Sequence, residues 1–301
     1  MKKYSAFSLI ELSVVILIIG ILVAGVTQSS RLIKSMNLSS ARTQTLSSPV
    51  SSISGVIGWW EASLEKSFGG SEPEEDSDGG TGGVGTWYDI NPQSSYKNNA
   101  TAIATANRPG YTTGSSSING LPTLQFNGTD QYLMFDGTSI ANSNYSIFVV
   151  EQRSGAFGMG FMVSSSGDGA TDNQLLQVGY RDDTNLTWGQ LGNDYNIDVD
   201  AYSLPTPRIH SMVFNSTASS PKVYYINGTA QTLNDTYGSA VGTQGLTAYD
   251  NASFGLYGTA PNDSYYAGNI GEIIIFNRAL KTEERRSIEA YLSKKWKIRV
   301  S

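Results

Sequence analysis

The chain has 301 residues, with 20 Lys and Arg against 26 Asp and Glu, a formal net charge of −6; this acidic balance lacks the clustered basic footprint of nucleic-acid binding. It contains 0 Cys and 1 His, which excludes disulfide staples, thiol nucleophiles, Cys-ligated zinc or iron–sulfur sites and a multi-histidine metal centre within one chain. Aromatic residues at 11% and 32 Gly, with many Ser, Thr and Asn, describe a packed body of short strands joined by turns.

Lys2 and Lys3 open the sequence, and residues 7–26 follow with Ser8, Glu11 and Ser13 as the clearly polar members. A helix of that length spans about 30 Å, the thickness of a bilayer core. The basic start places its N-terminus on the cytoplasmic side. An acidic residue at the centre of such a helix costs about 2.5–3.5 kcal/mol, so Glu11 needs a partner. A cleaved secretory signal or a plain membrane anchor accounts for the apolar run and leaves Glu11 without a role.

The stretch Ala6-Phe7-Ser8-Leu9-Ile10-Glu11-Leu12 resembles the processing and methylation motif of type IV prepilins and the related pseudopilins of type II secretion. The resemblance implies a leader at residues 1–6, cut between Ala6 and Phe7 by a prepilin peptidase. It implies N-methylation of Phe7 and an assembly role for Glu11. A free amine and a carboxylate in low dielectric attract strongly, so the Phe7 amine of one copy suits Glu11 of another. Ala6 stands where Gly is the usual family residue. The region Gly25-Val26-Thr27-Gln28 carries no helix-breaking Pro, so local melting would rest on Gly20 and Gly25, which are weaker breakers.

Beyond Val26 the pattern turns amphipathic. Leu32, Ile33 and Met36 share helical spacing, Arg31, Lys34 and Arg42 occupy other faces, and Pro49 closes the helix. One helix over about residues 7–48 is expected, its second half packed under a head formed by residues 49–301.

The head reads as all-β with one terminal helix. Strands are expected at 53–60, 123–126, 145–151, 158–163, 174–180, 209–215, 222–226 and 270–276, each bounded by Gly, Asn, Asp or Pro. Asn227-Gly228 and Asn127-Gly128 each signal a type I′ hairpin. At the C-terminus Thr282 is the expected N-cap, with Glu283 and Glu284 at the positive end of the helix. Ile288, Tyr291, Leu292 and Trp296 form its core stripe. The fold class is α+β: a long N-terminal hydrophobic helix, an antiparallel β-sandwich and a short C-terminal helix.

In order along the chain stand Gly58-Trp59-Trp60-Glu61, Trp87-Tyr88-Asp89, Leu124-Gln125-Phe126-Asn127-Gly128, Gly271-Glu272-Ile273-Ile274-Ile275-Phe276-Asn277-Arg278-Ala279-Leu280 and Tyr291-Leu292-Ser293-Lys294-Lys295-Trp296. Together they resemble the laminin G-like, concanavalin A-like jelly-roll domains of bacterial surface proteins. That resemblance implies a two-sheet sandwich, frequent binding of carbohydrate or protein, and in some members calcium.

The acidic segment Glu72-Pro73-Glu74-Glu75-Asp76-Ser77-Asp78 lies in a Gly-rich loop over 69–85. Its spacing does not match an EF-hand, and a solvated, mobile loop is the expectation. Asp168, Asp172 and Asn173 are the candidate calcium ligands, as loop oxygens at a sandwich rim. His210 lies inside a strand pattern, where a structural hydrogen bond is expected. No Gly-x-Ser-x-Gly elbow accompanies it. The Glu-x-Asp-x-x-Glu pattern of jelly-roll glycosidases is absent, because Gly79 stands at the last required position. No enzyme is expected. Trp188, Tyr195, Tyr202, Tyr265 and Tyr266 are the aromatics considered for stacking on a sugar, and aromatics are core residues first.

The expectation is a type IV pilin-like filament subunit. It would reside in the bacterial inner membrane as a precursor and then in an extracellular filament with like copies or other pilins. A surface-displayed, lectin-like head would serve adhesion. The alternatives are a minor or tip adhesin binding a glycan or surface protein, and a type II secretion pseudopilin.

Overall fold

Ile147-Phe148-Val149-Val150 and Ile273-Ile274-Ile275-Phe276 are unbroken apolar runs, the pattern of strands buried on both faces. The computed structural model describes residues 9–154, 158–165, 173–199, 206–237, 245–249, 251–258 and 264–301. It sets both runs side by side at the centre of one antiparallel sheet, in the strands Tyr145–Arg153 and Ala267–Phe276. Outward on one side lie Arg208–Phe214, Lys222–Ile226 and Thr229–Ala230. On the other side lie Gly120–Asn127 and Gly110–Gly114, and Val56–Glu61 also pairs with Ala267–Phe276.

The two faces of this sheet serve different cores. Ile147, Val149, Ile273, Ile275 and Trp60 point into a sandwich with the second sheet. Phe148, Val150, Ile274, Phe276 and Trp59 point the other way, against Ile288, Leu292 and Trp296 of the C-terminal helix. The layers therefore run helix, sheet, sheet. In the second sheet the neighbours are Asn234–Tyr237, Asp194–Asp198, Asn185–Gly189, Gln177–Tyr180, Gly160–Ser165, Ala252–Phe254, Leu133–Phe135, Ala100–Thr101 and Thr86–Trp87.

Each expected strand corresponds to an observed one, with shifted ends; Lys222–Ile226 coincides with its expected bounds. The first starts at Val56 rather than 53, because Pro49–Ser52 forms a 3-10 turn instead. The two Asn-Gly signals part company. Asn227 and Gly228 both take positive φ, 50° and 79°, and Ile226 pairs with Thr229 across the expected hairpin. Asn127-Gly128 is no hairpin. Only Gly128 of that pair takes positive φ, and Asn127 Oδ1 accepts the N–H groups of Thr129 (2.9 Å) and Asp130 (3.2 Å). That side-chain turn carries the chain from one sheet to the other, since Leu133–Phe135 belongs to the second sheet.

The N-terminal helix α1 is Leu9–Leu46, 38 residues, about 57 Å long at helical rise. It runs without a break through Gly20 and Gly25. Its contact with the head is shorter than expected: Ala41, Thr45 and Ser48 are buried, whereas Leu32, Ile33 and Met36 are exposed. Head contacts on the helix include Asn37, which accepts from Lys297 at 3.0 Å, while the apolar side chains of Leu32, Ile33 and Met36 stay exposed among the described residues.

The C-terminal helix α2 is Thr282–Trp296, and its N-cap is Lys281, one residue before the expected Thr282. Glu284 explains the shift. Its carboxylate accepts the Lys281 N–H at 2.9 Å and is gripped by both terminal nitrogens of Arg278, which satisfies the helix start without a hydroxyl cap. Ile288, Tyr291, Leu292 and Trp296 are buried as expected.

The acidic loop is pinned rather than loosely solvated. Asp76 and Tyr111 exchange backbone hydrogen bonds of 2.8 Å in both directions. Asp76 Oδ1 accepts the N–H groups of Asp78 and Gly79, and Gln131 Nε2 donates to Asp78 O at 2.6 Å. Gly79 (φ 72°) lies so close to the Arg108 carbonyl that a Cβ there would be 2.3 Å from it.

Candidate functional site

Among the described residues most of the exposed large apolar side chains lie on helix α1. Leu9, Ile10, Ile16, Leu17, Leu22 and Val26 are each more than 60% exposed, and α1 is long and apolar enough to cross a membrane. Burying a Leu, Ile or Val contributes about 1.5–3 kcal/mol each, so this surface strongly favours a bilayer or other apolar helices. The backbone of Glu11 lies within α1. Its side chain, and all of Ala6 and Phe7, lie outside the described residues.

The base of α1 is latched to the head by polar groups. Arg42 Nε donates to Ser63 O at 2.8 Å. The same guanidinium pairs with Glu65 at 3.2 Å and with Glu72 of the acidic loop. Lys297 Nζ donates to Asn37 Oδ1 at 3.0 Å. Ala41, 1% exposed, is small enough for α1 to approach closely.

Between the first sheet and α2 lies a buried charge centre. Glu61 and Glu272 are register partners on adjacent strands, and Lys295 reaches them from α2. Its Nζ is 2.6 Å from Glu61 Oε2 and 2.9 Å from Glu272 Oε2, with all three side chains fully buried. Glu61 also accepts the N–H groups of Ser63 (2.9 Å) and Leu64 (2.7 Å) and the hydroxyls of Ser63 and Ser67. Glu272 accepts Trp59 Nε1, Trp296 Nε1 and the Tyr291 hydroxyl, at 2.7–2.8 Å. Burial alone would raise the Glu61 pKa, but the Lys295 charge and hydrogen bonds from Lys295 and Ser63 outweigh it and hold it low. Burial would lower the Lys295 pKa, and the two carboxylates reverse that.

The sequence motifs of the head converge here. Trp87 Nε1 donates to Glu61 O at 3.0 Å. Asp89 accepts the N–H groups of Trp59, Asn91 and Asn98; its burial nonetheless raises its pKa. These residues frame the first strand rather than forming a ligand site.

A second polar centre is enclosed by the sandwich. His210 Nε2 lies 2.9 Å from Glu151 Oε1, and Nδ1 lies 3.0 Å from the Tyr224 hydroxyl, the structural hydrogen bonding expected of this residue. Glu151 also accepts the hydroxyls of Tyr180 (2.8 Å) and Tyr266 (2.6 Å), and Arg208 donates to Tyr180. Burial raises the Glu151 pKa, while His210, Tyr266 and Arg208 outweigh it and lower it. Glu151, His210, Tyr180, Tyr224 and Tyr266 are at most 1% exposed.

Among the aromatics considered for sugar stacking, Trp188 and Tyr266 are buried core residues. Tyr195 is half-buried beneath the Lys222 ammonium, 5.0 Å from its ring centre. Tyr265 is half-buried at the rim beside Tyr132, and Tyr202 lies outside the described residues. The candidate calcium ligands Asp168 and Asp172 also lie outside them. Asn173 is a turn residue (φ 65°) with both oxygens engaged: its carbonyl accepts Thr247 N and its Oδ1 accepts Asn193 Nδ2. Among the described residues no group of three His, Asp or Glu side chains could hold a metal ion. Sequence reasoning missed a hollow of about 310 Å³ at the rim. Asn142, Ser143, Asn144, Ser216 and Thr247 line it beside Phe214. Its signal was weak, because these residues are ordinary turn formers spread over three loops.

Residues 1–27 match the family model of the prokaryotic N-terminal methylation motif. No protein among the curated sequences matches the chain. Among solved structures the chain is similar to a Trypanosoma rangeli sialidase in complex with 2,3-difluorosialic acid, at 14% identity and TM-score 0.52, over 80% of this chain and 33% of that one. With 2,3-difluoro-KDN bound, the Trypanosoma rangeli sialidase gives 12% identity and TM-score 0.52, over 87% and 38% of the two chains. With the inhibitor DANA bound it gives 14% identity and TM-score 0.51, over 85% and 38%. The chain thus covers little more than a third of the sialidase it matches, and at these identities the likeness is one of fold. The protein is a chain with a prokaryotic N-terminal methylation motif, a long apolar helix and a β-sandwich head whose fold is similar to that of part of the Trypanosoma rangeli sialidase.

Proposed function

We propose that this protein is a type IV pilin-like filament subunit, assembled through α1, whose head is displayed outward for adhesion. The observation that carries the reading is the continuity between the methylation motif at residues 1–27 and a helix whose apolar side chains stay exposed as far as Met36. In the precursor that helix is buried in the inner membrane; after Ala6–Phe7 cleavage by a prepilin peptidase it is buried against other pilins. Helix burial in lipid is exchanged for burial against neighbours, and Glu11 meets the Phe7 amine of an adjacent copy. The head is tied to that helix at Arg42 and Asn37, and its rim hollow offers amide and hydroxyl groups of the kind that meet a neutral sugar.

N-terminal mass spectrometry of sheared surface filaments tests the reading. An N-methylated Phe7 start is expected. An intact Met1, or a start beyond Val26, overturns it. A protein with the methyl-Phe7 start that is present only in rare copies per filament would be a minor or tip subunit. Loss of secretion on gene deletion, with adhesion unchanged, would make it a secretion pseudopilin.

A further inference from the structure

A head without Cys has no disulfide to tie its ends together, yet one buried amine lies against two buried carboxyls. Lys295 Nζ is 2.6 Å from Glu61 Oε2 and 2.9 Å from Glu272 Oε2, and none of the three side chains has any exposed surface. We infer that Lys295 Nζ and the Glu61 carboxyl become joined by an intramolecular amide bond, with Glu272 carrying the proton.

The geometry favours this pair in particular. The Lys295–Glu61 contact is the shorter of the two. It keeps the amine near the about 3–3.5 Å attack distance from a reacting carbon. Glu61 Oε1 faces Leu64 N–H at 2.7 Å, and Oε2 faces Ser63 N–H at 2.9 Å. These backbone donors are fixed, with the Ser63 and Ser67 hydroxyls beside them. They are placed to hold the negative charge that develops on the carboxyl oxygens when the amine adds. Trp59, Tyr291 and Trp296 surround the centre and exclude the water that would compete.

The step balances within the centre. Lys295 enters as an ammonium, and Glu61 and Glu272 as carboxylates. Glu272 Oε2 takes one proton from Nζ, which frees the lone pair, and passes it to a Glu61 oxygen, so that the Glu61 carboxyl is neutral. The N–C bond then forms at the Glu61 carboxyl carbon. A second Nζ proton passes by way of Glu272 to the same Glu61 oxygen, the C–O bond breaks and water leaves. The products are a neutral amide, water and the Glu272 carboxylate, so the net charge of the centre is unchanged and no oxidant or cofactor is needed. The buried ammonium and one buried carboxylate, both costly to keep out of water, disappear. Glu272 retains its indole and phenol donors.

The bond would join the head's first strand, which follows α1, to its last helix, residues 234 apart in sequence. A pull applied through α1 would then be shared with α2 rather than peeling off the first strand. The chemistry does not depend on the filament reading and holds for a monomer.

The test is the mass of the full chain, purified from membranes in detergent and then denatured. After N-terminal processing is allowed for, the mass should fall below the sequence mass by one water. Digestion should release a branched peptide joining the Glu61 and Lys295 segments. Glu272→Gln, which cannot take the proton, should restore the full sequence mass, as should Lys295→Met. A wild-type chain at full sequence mass overturns the inference, as does a branched peptide joining Lys295 to Glu272, or an undiminished link in Glu272→Gln. Because the wild-type mass decides by itself, a variant that fails to fold does not obscure the result.

Discussion

A Cβ placed on Gly271 would lie 2.4 Å from Cη2 of Trp296. The strand is bare at that point because the benzo edge of the last helix's indole lies against it. The register slips between Ile270 and Glu272, and the next residue, Glu272, accepts the same indole's N–H at 2.8 Å. The absent side chain and the buried acid thus serve one contact. Gly271→Ala is expected to cost about 1–3 kcal/mol, as for overpacking of a filled core. Denaturant unfolding of the detergent-solubilised chain should show a lower midpoint with an unchanged slope.

Lys222 should make stability depend on pH. Burial pushes its pKa down to about 7 against the pull of Asp194; its Nζ donates to Asn193 O at 2.9 Å. The unfolded chain holds this proton up to about pH 10.4. Between about 7 and that limit the unfolded state therefore binds more protons than the folded state, and stability rises with pH across the window. Below it both states are charged and the cost of the buried ammonium is fully present. Lys222→Met should be more stable than the wild type at about pH 6, by a few kcal/mol at most, with the gap closing towards pH 10. A gap that stays constant with pH would contradict this account.

Glu151 sits where four partners meet, so its removal should be among the most damaging single changes in the head. Glu151→Gln leaves His210, Tyr180 and Tyr266 sharing an uncharged group and takes away the negative charge facing Arg208. Breaking a buried ionic arrangement on one side costs about 3–5 kcal/mol. His210→Phe, which removes one partner and leaves the carboxylate with its two phenols, should cost less. Thermal unfolding of both variants at one pH decides the order.

How far these centres were legible in the sequence follows from one rule applied unevenly. Glu11 stood out as an acid in an apolar helix. Glu272 is an acid within Ile270-Gly271-Glu272-Ile273-Ile274, the same oddity in a strand, and the same reasoning would have marked it as needing a buried partner. The partner itself was not legible, because Lys295 belongs to a helix end where lysines ordinarily face solvent and the dipole. The strands were legible from their apolar runs and bounding turns. Their assignment to two sheets was not, because Asn127-Gly128 reads as a hairpin until its side chain is seen to turn the chain aside. The rim hollow has no periodic pattern to reveal it.

Arg42 connects the assembly helix to the head, and its loss should loosen that joint without unfolding either part. The guanidinium is partly exposed, with a side-chain exposure of 27%, so its ion pairs with Glu65 and Glu72 are screened and worth about 1 kcal/mol or less. The hydrogen bond to Ser63 O lies one residue beyond Ala62, within the segment that leads from the first strand. Arg42→Ala should therefore leave the unfolding midpoint of the head nearly unchanged. Amide exchange across residues 37–48 should speed up severalfold, as for a segment held by few buried contacts. Glu72→Gln should reproduce a smaller part of the effect, since Glu65 and Ser63 still hold the guanidinium. Equal exchange in the wild type and both variants would mean that Ala41, Thr45 and the Lys297–Asn37 contact alone fix the helix to the head.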